Sequence, residues 1–97
     1  MERGKTLFLF LNPMKREQKY YLLDLDEDNI ISQGKFVLQN NDLPGNIYEL
    51  INTQEINAIE LIGIKNFCTK FYTEMKTKFS NNNINIIMKE RSEIWFI

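Results

Sequence analysis

The sequence has no histidine and a single cysteine, Cys68. Without histidine, the chain cannot build a Ser-His or Cys-His catalytic pair, nor a metal site with imidazole ligands. One cysteine cannot form an intramolecular disulfide, so nothing in the sequence indicates an oxidising compartment. Because Cys68 stands among apolar residues, we expect a buried, unreactive thiol.

Long apolar runs and an excess of one charge are missing as well. No apolar stretch approaches the roughly 20 residues of a membrane-spanning helix, and the opening residues lack the small-residue cleavage site of a secretory signal. Twelve basic and thirteen acidic side chains give a net charge of −1, so the electrostatic case for nucleic-acid binding is weak. We expect a cytoplasmic protein that does not bind membranes, with nucleic acid as a less favoured partner.

What remains is the composition of a small globular protein. Of 97 residues, 43% are hydrophobic and 26% are charged, which suffices for one modest core and argues against disorder. We therefore predict a single αβ domain over residues 1–97. The abundance of asparagine, isoleucine and lysine is typical of AT-rich genomes, such as those of low-GC bacteria, their phages and their mobile elements.

Three segments rich in apolar and branched residues predict an antiparallel meander of strands. The first, "TLFLFL" (6–11), is apolar on both faces, as in a central strand covered on two sides, and stops before Pro13. The second is "KYYLLDLD" (19–26), and the third is "IISQGKFVLQ" (30–39). Within the third strand we expect Gly34 to mark a β-bulge.

Two helices and two further strands are predicted to follow. The segment "NNDLPGNIYELIN" (40–52) predicts a helix capped by Asp42, and "INAIELIGI" (56–64) predicts a buried strand. In "KNFCTKFYTEMKTKF" (65–79) apolar residues recur every four positions, which predicts a helix, and "INIIMKE" (84–90) predicts the fifth strand. The fold class is therefore α/β (α+β): a three-stranded meander followed by helix-strand-helix-strand.

Three short motifs accompany this order of elements. The first strand ends in "FLNPM" with Asn12, the fourth contains "NAIELIG" with Glu60, and "MKERSE" beside the fifth carries Glu90 and Arg91. In order and motifs the chain resembles the RNase H-like superfamily, and within it the RuvC-type resolvases and their YqgF-like relatives. Those proteins have Asp-Pro-Gly or Asp-Val-Gly after the first strand, an acidic residue in the fourth, and Asp-Glu-Arg near the fifth. The resemblance implies an RNase H-like mixed five-stranded sheet.

The same resemblance bears on catalysis. Enzymes of this superfamily cleave phosphodiesters with several carboxylates that converge on Mg²⁺. Here Asn12 stands in place of the first aspartate, which leaves Glu60 as a single charge. We therefore expect no catalytic residues, no metal and no cofactor. If the chain is an enzyme after all, it would be a reduced metal-dependent nuclease or resolvase for branched nucleic acid, using Glu60 with Asp24 or Asp26.

Asn12 and Glu60 also have purely structural interpretations. Asparagine is favoured where a strand ends before a proline turn. A glutamate inside an apolar strand is explained by a place at the strand's edge or by an ion pair with a lysine.

The turn after the first strand is basic. Its cations Lys15, Arg16 and Lys19 offer a phosphate site in principle, but Glu17 lies between them and the whole chain is nearly neutral. Exposed charges of this kind are usually solvated, so the preferred interpretation is a solvent-exposed turn.

The last residues, "EIWFI" (93–97), are almost wholly apolar. Trp95, Phe96 and Ile97 either cover the sheet or form a contact for a partner, since tryptophan is a frequent interface anchor. We predict that they bind a protein partner, or a second copy, through a sheet edge. The expected function is that of a small non-catalytic binding protein, such as an inhibitor, adaptor or regulator encoded by a phage or mobile element.

Overall fold

The computed structural model describes residues 4–79 and 83–90. Its strands and helices follow the predicted order along the chain. They are β1 (Lys5–Leu11), β2 (Glu17–Asp24), β3 (Asn29–Val37), α1 (Gly45–Thr53), β4 (Ala58–Gly63), α2 (Lys65–Lys78) and β5 (Asn85–Glu90). Neither helix in these ranges combines the length and the apolar character needed to cross a membrane.

The five strands form one mixed sheet in the order β3-β2-β1-β4-β5. The pairs β1–β2 and β2–β3 are antiparallel, whereas β1–β4 and β4–β5 are parallel. The predicted α/β class, with its meander and mixed five-stranded sheet, is confirmed.

The core lies on one face of the sheet. Side chains alternate along a strand, so Leu7, Leu9 and Leu11 share a face of β1, and all three are fully buried. Both helices pack against that face. Their buried contributions to the core are Ile47 and Ile51 from α1 and Cys68, Phe71 and Met75 from α2.

The opposite face of the sheet is apolar too. Phe8 and Phe10 of β1 point there and are only half-buried. Phe10 meets Tyr21 of β2 edge-on, with ring centroids 5.6 Å apart. The sequence predicted a first strand covered on two sides, but within residues 4–79 and 83–90 the helices lie on one face alone.

The predicted cap of the first helix is wrong. α1 begins at Gly45, Pro44 occupies the N-cap position, and no side chain caps the helix. Asp42 lies two residues before this N-cap and makes no capping hydrogen bond. It forms an isolated β-bridge with Gln39 instead, and its carboxylate lies 3.7 Å from the ammonium of Lys70.

The β-bulge lies at a different residue from the one predicted. The pairing of β2 with β3 shifts between Leu22 and Leu23, which makes Ile31 the extra residue. Gly34 is paired regularly with Tyr20, and a Cβ atom on it would lie 2.9 Å from the tyrosine ring. A side chain at this position would therefore have to displace the Tyr20 ring, although the backbone here is regular.

Candidate functional site

Asn12 closes β1 and starts the turn to β2. Its Oδ1 accepts a hydrogen bond from the backbone N–H of Met14 at 2.9 Å, the pattern by which asparagine stabilises turns. The side-chain amide of Gln18 holds its backbone from the other side. Gln18 Oε1 accepts the N–H of Asn12 at 2.6 Å, and Gln18 Nε2 donates to its carbonyl at 3.1 Å. The structural interpretation of Asn12, a strand end before a turn, is thus confirmed.

The same contacts leave one atom of Asn12 without a partner. Only the amide oxygen can accept the Met14 N–H, so the orientation of the amide is determined and the NH₂ group points the other way. Asn12 is 3% exposed, and no acceptor among the described residues lies within hydrogen-bond distance of its Nδ2. A buried donor without an acceptor costs about 1–3 kcal/mol, so an atom of this kind calls for an explanation.

Asn12 lines a cavity of about 240 Å³ that is open to solvent. Lys15 and Arg16 form its basic wall, while Leu38 and Phe67 form an apolar one. Both basic side chains belong to exposed residues of the turn. The cavity therefore joins a buried amide to two cations at the carboxyl end of β1.

The start of α2 reaches the same cavity. The helix follows β4 directly, and Phe67 in its first turn is the residue that reaches the cavity. No side chain caps this helix, and its first turn contains no acidic residue. The positive end of its dipole is therefore not offset by an acidic side chain of its own first turn. The arrangement suits an anion rather than a metal cation, which needs oxygen ligands.

Glu60 lies on β4, on the face opposite the helices. Lys89 Nζ is 3.5 Å from its Oε1, so the lysine alternative for this residue is confirmed. The distance is that of an ion pair rather than of a good hydrogen bond, which is why the buried Oε1 has no hydrogen-bond partner among the described residues. In the parallel register Glu60 is beside Phe8, four residues and therefore about 13 Å along the strand from Asn12.

The two aspartates proposed as partners of Glu60 stabilise the hairpin turn between β2 and β3. Asp24 Oδ1 accepts the N–H of Asp26 at 3.0 Å, and Asp26 Oδ2 accepts the N–H of Gly4 at 3.0 Å. Asp24 pairs with Lys5 at the amino end of β1, a register that places it and Glu60 on opposite faces of the sheet. In the described part of the chain, no group of three or more acidic or cysteine side chains is placed to hold a metal ion.

The predicted partner contacts Trp95, Phe96 and Ile97 lie outside the described residues, as does Arg91 of the resemblance. The role of these apolar residues stays a prediction.

The structure reveals an exposed apolar edge that the sequence analysis did not single out. Across the described residues, the exposed large apolar side chains are Ile30 at 54%, Ile31 at 38%, Val37 at 38% and Met14 at 74%. The first three belong to β3, which is the end strand of the sheet. The doublet Ile30-Ile31 was the available signal, because neighbouring side chains of a regular strand cannot face the same core.

No protein-family model matches the chain, and a search of curated proteins finds no match.

The thiol of Cys68 is fully buried in α2, which confirms the expected buried cysteine. Burial raises the pKa of the thiol to about 11. Since the thiolate is the reactive species, we expect very slow labelling by a disulfide reagent at about pH 8 in native buffer. In guanidinium chloride the same reagent should label one thiol per chain at once. Labelling is measured by absorbance, and fast labelling of the native protein would contradict the burial of the Cys68 thiol.

Proposed function

We propose that the protein is a non-catalytic binding protein that pairs a strand of another protein with the outer edge of β3. The observation that carries the proposal is the exposure of three large apolar side chains on this one strand. An edge strand presents a row of unpaired backbone donors and acceptors, which an extended segment of a partner can complete.

The edge is long and only partly protected. β3 has nine residues, and natural edge strands are commonly blunted by charge, bulges or short length. Lys35 supplies one charge, which Glu17 of β2 partly neutralises at 3.8 Å, and the bulge at Ile31 interrupts the strand near its start. Ile30 and Val37 lie near the two ends of the strand and on the face away from the helices. A partner strand with apolar side chains on that face would cover both.

Several expectations extend this proposal. The order of elements supports an RNase H-like relationship, and the single cysteine supports a cytoplasmic setting. A role as an inhibitor, adaptor or regulator from a phage or mobile element is supported by the composition alone. The alternative of a reduced metal-dependent nuclease has no comparable observation in its favour, because Asp24 and Glu60 lie on opposite faces of the sheet.

Ile30→Lys tests the edge, since a lysine there adds a charge that a pairing strand would have to bury. The matched control is Met14→Lys, which makes the same kind of change at a more exposed apolar residue outside β3. We expect a protein captured from lysate of the source organism by the wild type and by Met14→Lys, but not by Ile30→Lys. The purified partner should then slow hydrogen exchange at the amides of residues 29–37.

Other outcomes of this experiment would either reject the β3 edge as the binding surface or assign it to a second copy of the chain. The proposal for β3 would be overturned if Ile30→Lys captured the partner as well as the wild type does. It would also be overturned if the partner slowed hydrogen exchange only at amides outside residues 29–37. A stable dimer in light scattering that Ile30→Lys dissociates would assign the edge to a second copy instead of another protein. Trp95→Ala in the same capture tests the predicted apolar contact near the carboxyl terminus.

A further inference from the structure

We propose that the cavity at Asn12 is a binding site for the phosphate group of a small phosphomonoester. The inference goes beyond the proposed function and does not depend on β3 pairing with a partner. Its starting point is the buried Nδ2 of Asn12, a donor with no acceptor among the described residues. Lys15 and Arg16 line the same cavity and add only donors, so the group that fits there brings acceptor oxygens.

The charge of the site selects the kind of anion. Lys15 and Arg16 supply two positive charges, and within the described residues neither takes part in an ion pair. Near neutral pH a phosphomonoester carries about −1.5 to −2 charges, whereas a carboxylate or a phosphodiester carries one. A phosphomonoester therefore balances both cations. The cavity of about 240 Å³ is open to solvent, so the organic part of the ligand can extend out of it.

The place of the cavity in the fold supports an anion as well. It lies at the carboxyl end of β1, and the first turn of α2, which no side chain caps, contributes Phe67 to its wall. Helix starts of this kind favour phosphate groups. The Nδ2 atom has almost no accessible surface, so a phosphate oxygen reaches it only if residues that line the cavity move aside. Lys15 and Arg16, which line the cavity, are exposed.

Titration with inorganic phosphate, followed by ¹⁵N–¹H NMR spectra of the full chain, tests the site. A parallel titration with sodium acetate at the same ionic strength tests whether a carboxylate binds instead. We expect saturable shifts of the Asn12 side-chain NH₂ signals and of the Lys15 and Arg16 amides with phosphate only. In Lys15→Gln/Arg16→Gln, which changes exposed residues, affinity should fall about tenfold or more, since charge-assisted hydrogen bonds are lost.

Lys76→Gln/Lys78→Gln is the matched control, because it removes two exposed positive charges at the far end of α2. It should bind phosphate as the wild type does. Equal weakening in both double variants would mean that phosphate responds to net charge alone, which would overturn the proposal. Shifts of the same size with acetate would replace the phosphomonoester by a carboxylate ligand, and an Asn12 signal that does not move would remove the site altogether. The result of this titration does not affect the proposal that β3 pairs with a strand of a partner, which the Ile30→Lys experiment tests separately.

Discussion

Replacing Gln18 by glutamate is expected to lower the free energy of unfolding by about 3 kcal/mol or more. Gln18 is buried, and its Nε2 donates to the backbone carbonyls of Asn12 and Lys15 at 3.1 and 2.8 Å. A glutamate of the same shape would keep the acceptor for the Asn12 N–H. However, it would present a carboxylate oxygen to two carbonyl oxygens, and it would bury a charge where the wild type has none.

The matched control for this change is Gln33→Glu. Gln33 is an exposed glutamine of the neighbouring strand β3, so the same substitution there should alter stability by less than about 0.5 kcal/mol. Urea unfolding of the three proteins, followed by circular dichroism, gives the comparison. Equal stabilities of Gln18→Glu and Gln33→Glu would show that the hydrogen bonds around Asn12 do not hold the turn in place.

The pH dependence of Gln18→Glu provides a second, independent check. Burial beside two carbonyls raises the pKa of the new carboxyl group in the folded state above its unfolded value. The carboxyl group therefore ionises at lower pH in the unfolded chain than in the folded one. As pH rises from the unfolded pKa to the folded pKa, the variant loses more and more of its free energy of unfolding relative to the wild type. At about pH 4 the protonated group can donate one hydrogen bond, and most of the deficit should vanish. A deficit that does not change with pH would contradict a buried carboxyl group.

Most of the fold is predictable from local patterns in this chain. Apolar runs separated by polar turns place all five strands, and the four-residue spacing through Phe67, Phe71 and Met75 places α2. The start of α1 is not predictable in this way. Asp42 has the right chemistry for a cap, yet it lies two residues before the N-cap, where it bridges Gln39 and stands 3.7 Å from Lys70, 28 positions further along the chain. Contacts of that kind depend on packing, which no local pattern contains.

The candidate site is predictable only in part. Asn12 stands out in the sequence because it follows an apolar strand and precedes a proline. Gln18, by contrast, is one polar residue among several in "MKREQK", and only the folded turn shows that it is buried against the Asn12 backbone. The ion pair of Glu60 with Lys89 depends on the parallel pairing of β4 with β5, which brings residues far apart in the chain together.

The second large effect is expected for Gly63→Ala, at the carboxyl end of β4. A Cβ atom on Gly63 would collide with the backbone carbonyl oxygen of Leu11 and lie 3.0 Å from the sulfur of Cys68. A backbone atom cannot turn away as a flexible side chain can, so β1 and β4 would have to separate just before Asn12. Overpacking of this kind costs about 3 kcal/mol, which for a chain of this size lowers the melting temperature by about 15 °C.

Gly45→Ala makes the same chemical change where the structure leaves room. Gly45 is the first residue of α1, and nothing lies within 4 Å of the position that its Cβ would take. Alanine favours the helical state over glycine, so this variant should be as stable as the wild type or more stable by up to about 1 kcal/mol. Differential scanning calorimetry of both variants decides the matter. If Gly63→Ala melts at the same temperature as Gly45→Ala, the close approach of β4 to the Leu11 backbone is wrong.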